Sequence, residues 1–97
     1  MNNYRYLKFQ TSQIGNFPIS ESNGGLFVFL NISKDGRTSD AFCRDLIDET
    51  NVACTPGIFF GKNWDSFIRI SLAINEISFK KAINLLINFI IKRRKNI

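Results

Sequence analysis

Residues 52–73 read VACTPGIFFGKNWDSFIRISLA, and the last part of the stretch alternates. In FIRISLA, Phe67, Arg69, Ser71 and Ala73 fall on one side of an extended chain, while Ile68, Ile70 and Leu72 fall on the other. One side is an aliphatic row suited to a core; the other carries a lone cation. The pattern predicts a strand, and Pro56-Gly57 with Phe59-Phe60-Gly61 predicts a sharply shaped loop leading into it. Taken by itself, Arg69 is open to two readings: a solvated residue on an outer sheet face, or a clamp for an anionic ligand.

Working outward, VACT at 52–55 reads as a short strand entering the Pro56-Gly57 turn. Upstream, Thr38 or Ser39 can cap a helix on which Phe42, Cys43, Leu46, Ile47 and Thr50 share one face. Asp40, Arg44, Asp45 and Asp48 then point outward, and Asn51 stops the helix. LFVFLNI at 26–32 follows Gly24-Gly25 and is apolar on both faces, as in a strand covered on both sides. Downstream, Asn75 caps a long helix with Phe79, Ala82, Ile83, Leu86 and Ile90 inward and Lys80, Lys81, Asn84 and Asn88 outward. Residues 1–19, with Gly15-Asn16 and Pro18, read as an irregular lead-in to a domain over 20–97. The expected fold is α/β: a two-layer sandwich of a small, mainly antiparallel sheet with two helices on one face, packed over Ile68, Ile70 and Leu72.

With 97 residues the chain suits a single domain, and 44% hydrophobic with 22% charged residues is a globular composition. There is no histidine, which removes histidine general bases, Ser-His-Asp triads and most zinc sites, and no metal is expected. Cys43 and Cys54 read as small buried side chains in a reducing cytoplasm. The net charge is +5, but Lys92, Arg93, Arg94 and Lys95 cluster at the end of the last helix, where they complement the helix dipole and read as a solvated tail. The longest apolar run, AINLLINFII, has about half of the ~20 residues a membrane span needs and is broken by Asn84 and Asn88. MNNYRYLKFQ lacks the apolar core of a signal peptide. The expectation is a soluble, cytoplasmic protein with no membrane partner.

The pattern V-x-x-x-P-G-x-x-F-G (Val52, Pro56, Gly57, Phe60, Gly61), followed by F-I-R-I-S-x-A, resembles the C-terminal small domain of class I/II aminotransferases, the fold type I pyridoxal-phosphate enzymes. NGGLFVFLNI is similar to that family's glycine-led strand, SDAFCRDLIDET to its next helix and EISFKKAINLLINFI to its terminal helix, so the resemblance covers about residues 20–97. It implies that Arg69 binds the α-carboxylate of the amino-acid or 2-oxo-acid substrate. Arginine suits that task, because its guanidinium makes two parallel hydrogen bonds to a carboxylate where lysine holds only the charge. The resemblance also implies that Pro56, Gly57, Phe60 and Gly61 form the loop near the substrate, although a plain connecting turn is the other reading of the same residues. For Gly24 and Gly25, a strand-entry turn is an equal reading.

Aminotransferases carry pyridoxal phosphate on a Schiff-base lysine, with an acidic partner for the pyridine nitrogen and a phosphate cradle. The resemblance places these in a large domain, which becomes the expected partner. The lysines here sit in turns, on outward helix positions or near the termini, so the cofactor is expected in a parent enzyme and not on this chain alone. The chain therefore reads as a fragment or the product of a split gene, inactive by itself and prone to self-association through its uncovered face. Two other classes are weighed against this. One is a stand-alone interaction protein that keeps the fold without the chemistry. The other is a small basic nucleic-acid-binding module, disfavoured because basic and aromatic residues do not interleave along a strand and because Gly57 and Gly61 are one residue too far apart for a KH loop.

Overall fold

The aliphatic row of FIRISLA ends up in the middle of the molecule. The computed structural model describes residues 2–21 and 25–95. Its elements are α1 (Asn3–Ser12), β1 (Phe27–Asn31), α2 (Ser39–Thr50), β2 (Thr55–Pro56), β3 (Phe67–Ser71) and α3 (Glu76–Lys95), with short 3₁₀ turns at Ser33–Asp35, Gly57–Phe60 and Lys62–Trp64. The sheet is antiparallel with order β1-β3-β2, so β3 is bonded on both sides. Val28 lies opposite Ile70, and Leu30 opposite Ile68. These four are buried in one cluster with Leu7 of α1, Phe42 and Leu46 of α2, and Phe79, Ile83, Leu86 and Ile90 of α3.

The helix boundaries follow local chemistry. The Thr38 hydroxyl accepts from the Ala41 N–H at 3.2 Å and starts α2. Asn51, in the left-handed region at φ 63°, ends it. The side chain of Asn75 accepts from the Ser78 N–H at 2.9 Å and starts α3. Ile47 departs from the expected inward face of α2 and is exposed, while Ile87 and Phe89 widen the buried stripe of α3.

Three expectations need correction. The lead-in over 1–19 is not irregular, because Asn3–Ser12 is a helix capped by Asn2, so the described residues form three helices rather than two. Tyr4, Leu7, Thr11 and Ile14 repeat at helical spacing, but the polar residues around them and the hydroxyl of Thr11 dilute the stripe. Thr11 tolerates burial because its hydroxyl donates to the Leu7 carbonyl at 3.0 Å. Ile14 and Phe17 follow into the core, and residues 18–20 then pair with the outer edge of β1 through an Ile19–Leu30 bridge. Second, β1 is covered on one face only, with Phe27 exposed and Phe29 half-buried. Third, the strand expected over VACT is only Thr55–Pro56, since Val52 and Cys54 pack against the core before the chain reaches β3.

The basic end of α3 also does more than sit in water. Asp35 is buried, and its carboxylate takes hydrogen bonds from Arg37 Nε at 2.7 Å and Arg37 Nη2 at 3.0 Å. Arg93 donates Nε to the Asp35 carbonyl at 3.0 Å, and Arg94 donates to the Ile14 carbonyl. Hydrogen bonding to Asp35 holds the Arg37 guanidinium above its ordinary pKa. Cys43 and Cys54 are free, and burial pushes both thiols up to about 12. Among the described residues no helix is long and apolar enough to cross a membrane, and no cluster of acidic or cysteine side chains could hold a metal.

Because Leu7 is fully buried, Leu7→Ala should destabilise the chain by about 2–5 kcal/mol in urea unfolding followed by circular dichroism. A change below 0.5 kcal/mol would show that α1 contributes nothing to the core.

Candidate functional site

The site begins with Gly57. A Cβ built there would lie 1.9 Å from the Trp64 carbonyl oxygen and 2.4 Å from that of Phe67, so only glycine lets the two arms of the 57–67 loop cross. Gly61 sits at φ 126°, a backbone conformation that side chains disfavour, and there the loop reverses between its two 3₁₀ turns. The loop is braced on the start of α2 by Ser39, which is fully buried. Its hydroxyl donates to Asp65 Oδ1 at 2.8 Å and accepts from the Ile58 N–H at 3.0 Å, while its own N–H reaches the Asp65 carbonyl at 3.0 Å. Since Thr38 performs the capping, the Ser39 hydroxyl is free for this bridge.

The brace carries Phe60 and Trp64 onto the sheet face opposite the core. Phe29 meets Phe60 edge-on at 5.6 Å between ring centres and Trp64 at 4.9 Å, and Trp64 meets Phe67 at 5.2 Å. Arg69 lies among these rings on the central strand, between Phe29 of β1 and Thr55 of β2 in register. Its guanidinium carbon is 4.1 Å from the ring centre of Phe27 and 5.1 Å from that of Phe60. Among the described residues, none of the five ion pairs involves Arg69, and no oxygen accepts a hydrogen bond from its guanidinium. Arg37, Arg44 and Arg93, by contrast, all reach carboxylates.

Of the residues singled out in the sequence, the fold thus brings Arg69 and Phe60 together, and Gly57 and Gly61 shape the loop that does so. Pro56 is on the other side: it is buried and pairs with Ile68, while Thr55 is the strand neighbour of Arg69. Gly25 is exposed, and an added Cβ would meet nothing closer than 3.9 Å, so no close approach demands glycine there. Gly24 lies outside the described residues. The sequence does not mark Phe27, Ser39 or Asp65 as part of the site; the first becomes legible once FVFLN is set antiparallel to FIRIS, the other two only in three dimensions.

The comparisons with known proteins bear on this arrangement. The family model for aminotransferase class I and II matches residues 1–86, a span that includes α1 as well as the sheet. The chain belongs to this family. An aspartate aminotransferase of Pyrococcus horikoshii is 31% identical over 80 residues, which take in 79% of this chain and 20% of that protein. An LL-diaminopimelate aminotransferase of Dehalococcoides mccartyi is 38% identical over 55 residues, covering 57% and 14% respectively. Among solved structures, an aminotransferase from Mycobacterium tuberculosis superposes with a TM-score of 0.84 at 28% identity, covering 93% of this chain and 24% of that one. An aromatic aminotransferase from Pyrococcus horikoshii gives 0.82 at 26% identity, covering 96% and 25%. The chain therefore spans no more than a quarter of the length of these family members.

Pyridoxal phosphate, the cofactor that membership implies, calls for a sheltered lysine whose amine loses its proton easily. Lys8, Lys34, Lys62, Lys81 and Lys92 are exposed, and Lys80 is bonded to Glu76 at 2.8 Å. These residues do not fit a covalent anchor for the cofactor.

Gly57→Ala should cost more than about 2 kcal/mol and displace Phe60 and Trp64, because the obstructing atoms are backbone carbonyls that cannot rotate away. Gly25→Ala should stay within about 0.5 kcal/mol. Urea unfolding with Trp64 fluorescence reads both, and equal stability for the two variants would refute the crossing as the reason for glycine.

Proposed function

We propose that this chain is the C-terminal, substrate-carboxylate-binding domain of a pyridoxal-phosphate-dependent aminotransferase. It works beside a large domain that supplies the cofactor and its lysine, in a reaction that passes an amino group from an amino acid to a 2-oxo acid. In this reading the helices form a second layer against the buried face of the sheet, and the face bearing Arg69 turns toward the large domain and the substrate. The observation that carries the proposal is Arg69 itself: a guanidinium set on rings at 4.1 and 5.1 Å, with its hydrogen-bonding edges unused by the described residues. A carboxylate presents two oxygens at the spacing those edges accept. Pro56, Gly57, Phe60 and Gly61 serve the site by shaping and positioning the loop. Gly24 and Gly25 remain part of the proposed substrate-proximal region by resemblance alone. The setting proposed for the parent enzyme is the cytoplasm.

The test is to let this chain replace the matching segment of a full-length family member and to assay transamination. Arg69→Lys should lower kcat/KM for amino-acid donors by roughly 1.5–4 kcal/mol, about ten- to several-hundredfold, with the unfolding midpoint little changed. Unchanged kinetics would remove Arg69 from the site.

The exposed rings favour a second reading, a stand-alone interaction protein. Phe59 is 70% exposed, Phe60 42% and Trp64 39%. An apolar patch of that kind promotes association when no partner covers it, at about 25 cal/mol per Å² buried. The free chain should accordingly self-associate in sedimentation velocity, and Phe59→Ser with Phe60→Ser should reduce that association. A wild-type chain that stays monomeric at high concentration contradicts the expectation, as does association undiminished by the double change.

A further inference from the structure

Among the described residues, two arginines are set on pairs of aromatic rings, and one of them also has its carboxylates. Arg37 has its guanidinium carbon 5.1 Å from the ring centre of Phe42 and 4.3 Å from that of Phe89. Its edges are filled by carboxylates, Asp35 through Nε and Nη2 and Asp45 through Nη1 at 3.1 Å. Arg69 repeats the ring half of this arrangement with Phe27 and Phe60, at 4.1 and 5.1 Å. The carboxylate half is absent among the described residues.

A guanidinium has two kinds of surface. Its flat faces are weakly hydrated and attract aromatic rings, while its rim carries five N–H donors. Contacts on the faces hold the plane without consuming the rim. A long, flexible arginine held only by water would have to give up rotamer freedom on meeting a carboxylate, and that loss would subtract from binding. Rings that already define the plane remove part of the loss. The two rings also reach Arg69 from different directions in the chain: Phe27 sits on β1, diagonal to Arg69 across the β1–β3 register, and Phe60 sits on the loop that follows β2. Phe27 is 45% exposed and Phe60 42%, so neither is needed to fill the core.

We infer that Phe27 and Phe60 are positioning residues, which orient the Arg69 guanidinium and keep its rim open for a carboxylate in the way Phe42 and Phe89 orient Arg37 for Asp35 and Asp45. The inference rests on the reading of Arg69 as a carboxylate site. It adds that the affinity of the site is set in part by two side chains that never touch the ligand's oxygens.

The experiment uses the whole chain, labelled with nitrogen-15, and follows the Nε–H signals of its arginines by NMR. Acetate is the probe, titrated against chloride at matched ionic strength. In the wild type the Arg69 signal should move saturably with acetate and the Arg37 signal should stay still, since its rim is filled. Phe27→Leu and Phe60→Leu should each lower the order parameter of the Arg69 Nε–H and weaken acetate binding about three- to fivefold. Phe60→Tyr should restore both, and an unmoved Arg37 signal with an intact amide spectrum excludes a general loss of structure. Leucine variants that keep the wild-type order parameter and affinity overturn the inference. If acetate never shifts Arg69 in the wild type, the carboxylate reading fails instead, and the order parameters still decide whether the rings hold the side chain.

Discussion

β3 is hydrogen-bonded on both edges, and this constraint governs the rest of the molecule. Its register against β1 places Ile68 and Ile70 beside Leu30 and Val28, and residues of α1, α2 and α3 join that row in one buried cluster. A slip of one residue would put Arg69 in the core without a partner and send both isoleucines to the surface, so the register is held by the cost of burying a lone charge as much as by the gain from the aliphatic row. The same constraint gives the opposite face its character. Every second residue of β3 must point there, and the cation on that face follows from the alternation that builds the core.

The loop before β3 has the complementary task of bringing side chains to that face without a strand to hold them. It does so with three devices: a glycine where two carbonyls crowd, a second glycine where the chain reverses, and a buried serine linking the loop to the start of α2. The result is an aromatic surface whose members are fixed by backbone geometry and by one another. An exposed patch braced in this way suits a site that must be ready before a partner or ligand arrives.

Much of this was legible in the sequence because short-range rules apply to it. Alternation marked β3, Thr38 or Ser39 and Asn75 marked helix starts, Asn51 marked a stop, and the proline, glycines and phenylalanines of 56–61 marked a shaped loop. What was not legible required long-range information. Tyr4, Leu7, Thr11 and Ile14 form a helical stripe too diluted by polar residues to stand out until α3 is present to receive it. The cluster at 92–95 looked like a solvated tail because nothing local shows that Asp35 and Ile14 are waiting for Arg93 and Arg94. Phe27 gained its place beside Arg69 from strand pairing, and Pro56 lost its place there for the same reason.

The seating of α1 on α3 has a consequence for the order of assembly. Asn3 donates to the carbonyls of Leu72 and Ile74, up to 71 residues away, and Ile14 accepts from Arg94, 80 residues away. Contacts of that span close nearly the whole chain into a loop, and their entropic cost is met before most of their stabilisation is gained. During synthesis, α1 leaves the ribosome long before the helix that shelters Leu7 exists, so α1 waits for α3. Until α3 arrives, that helix is a natural target for chaperones and proteases.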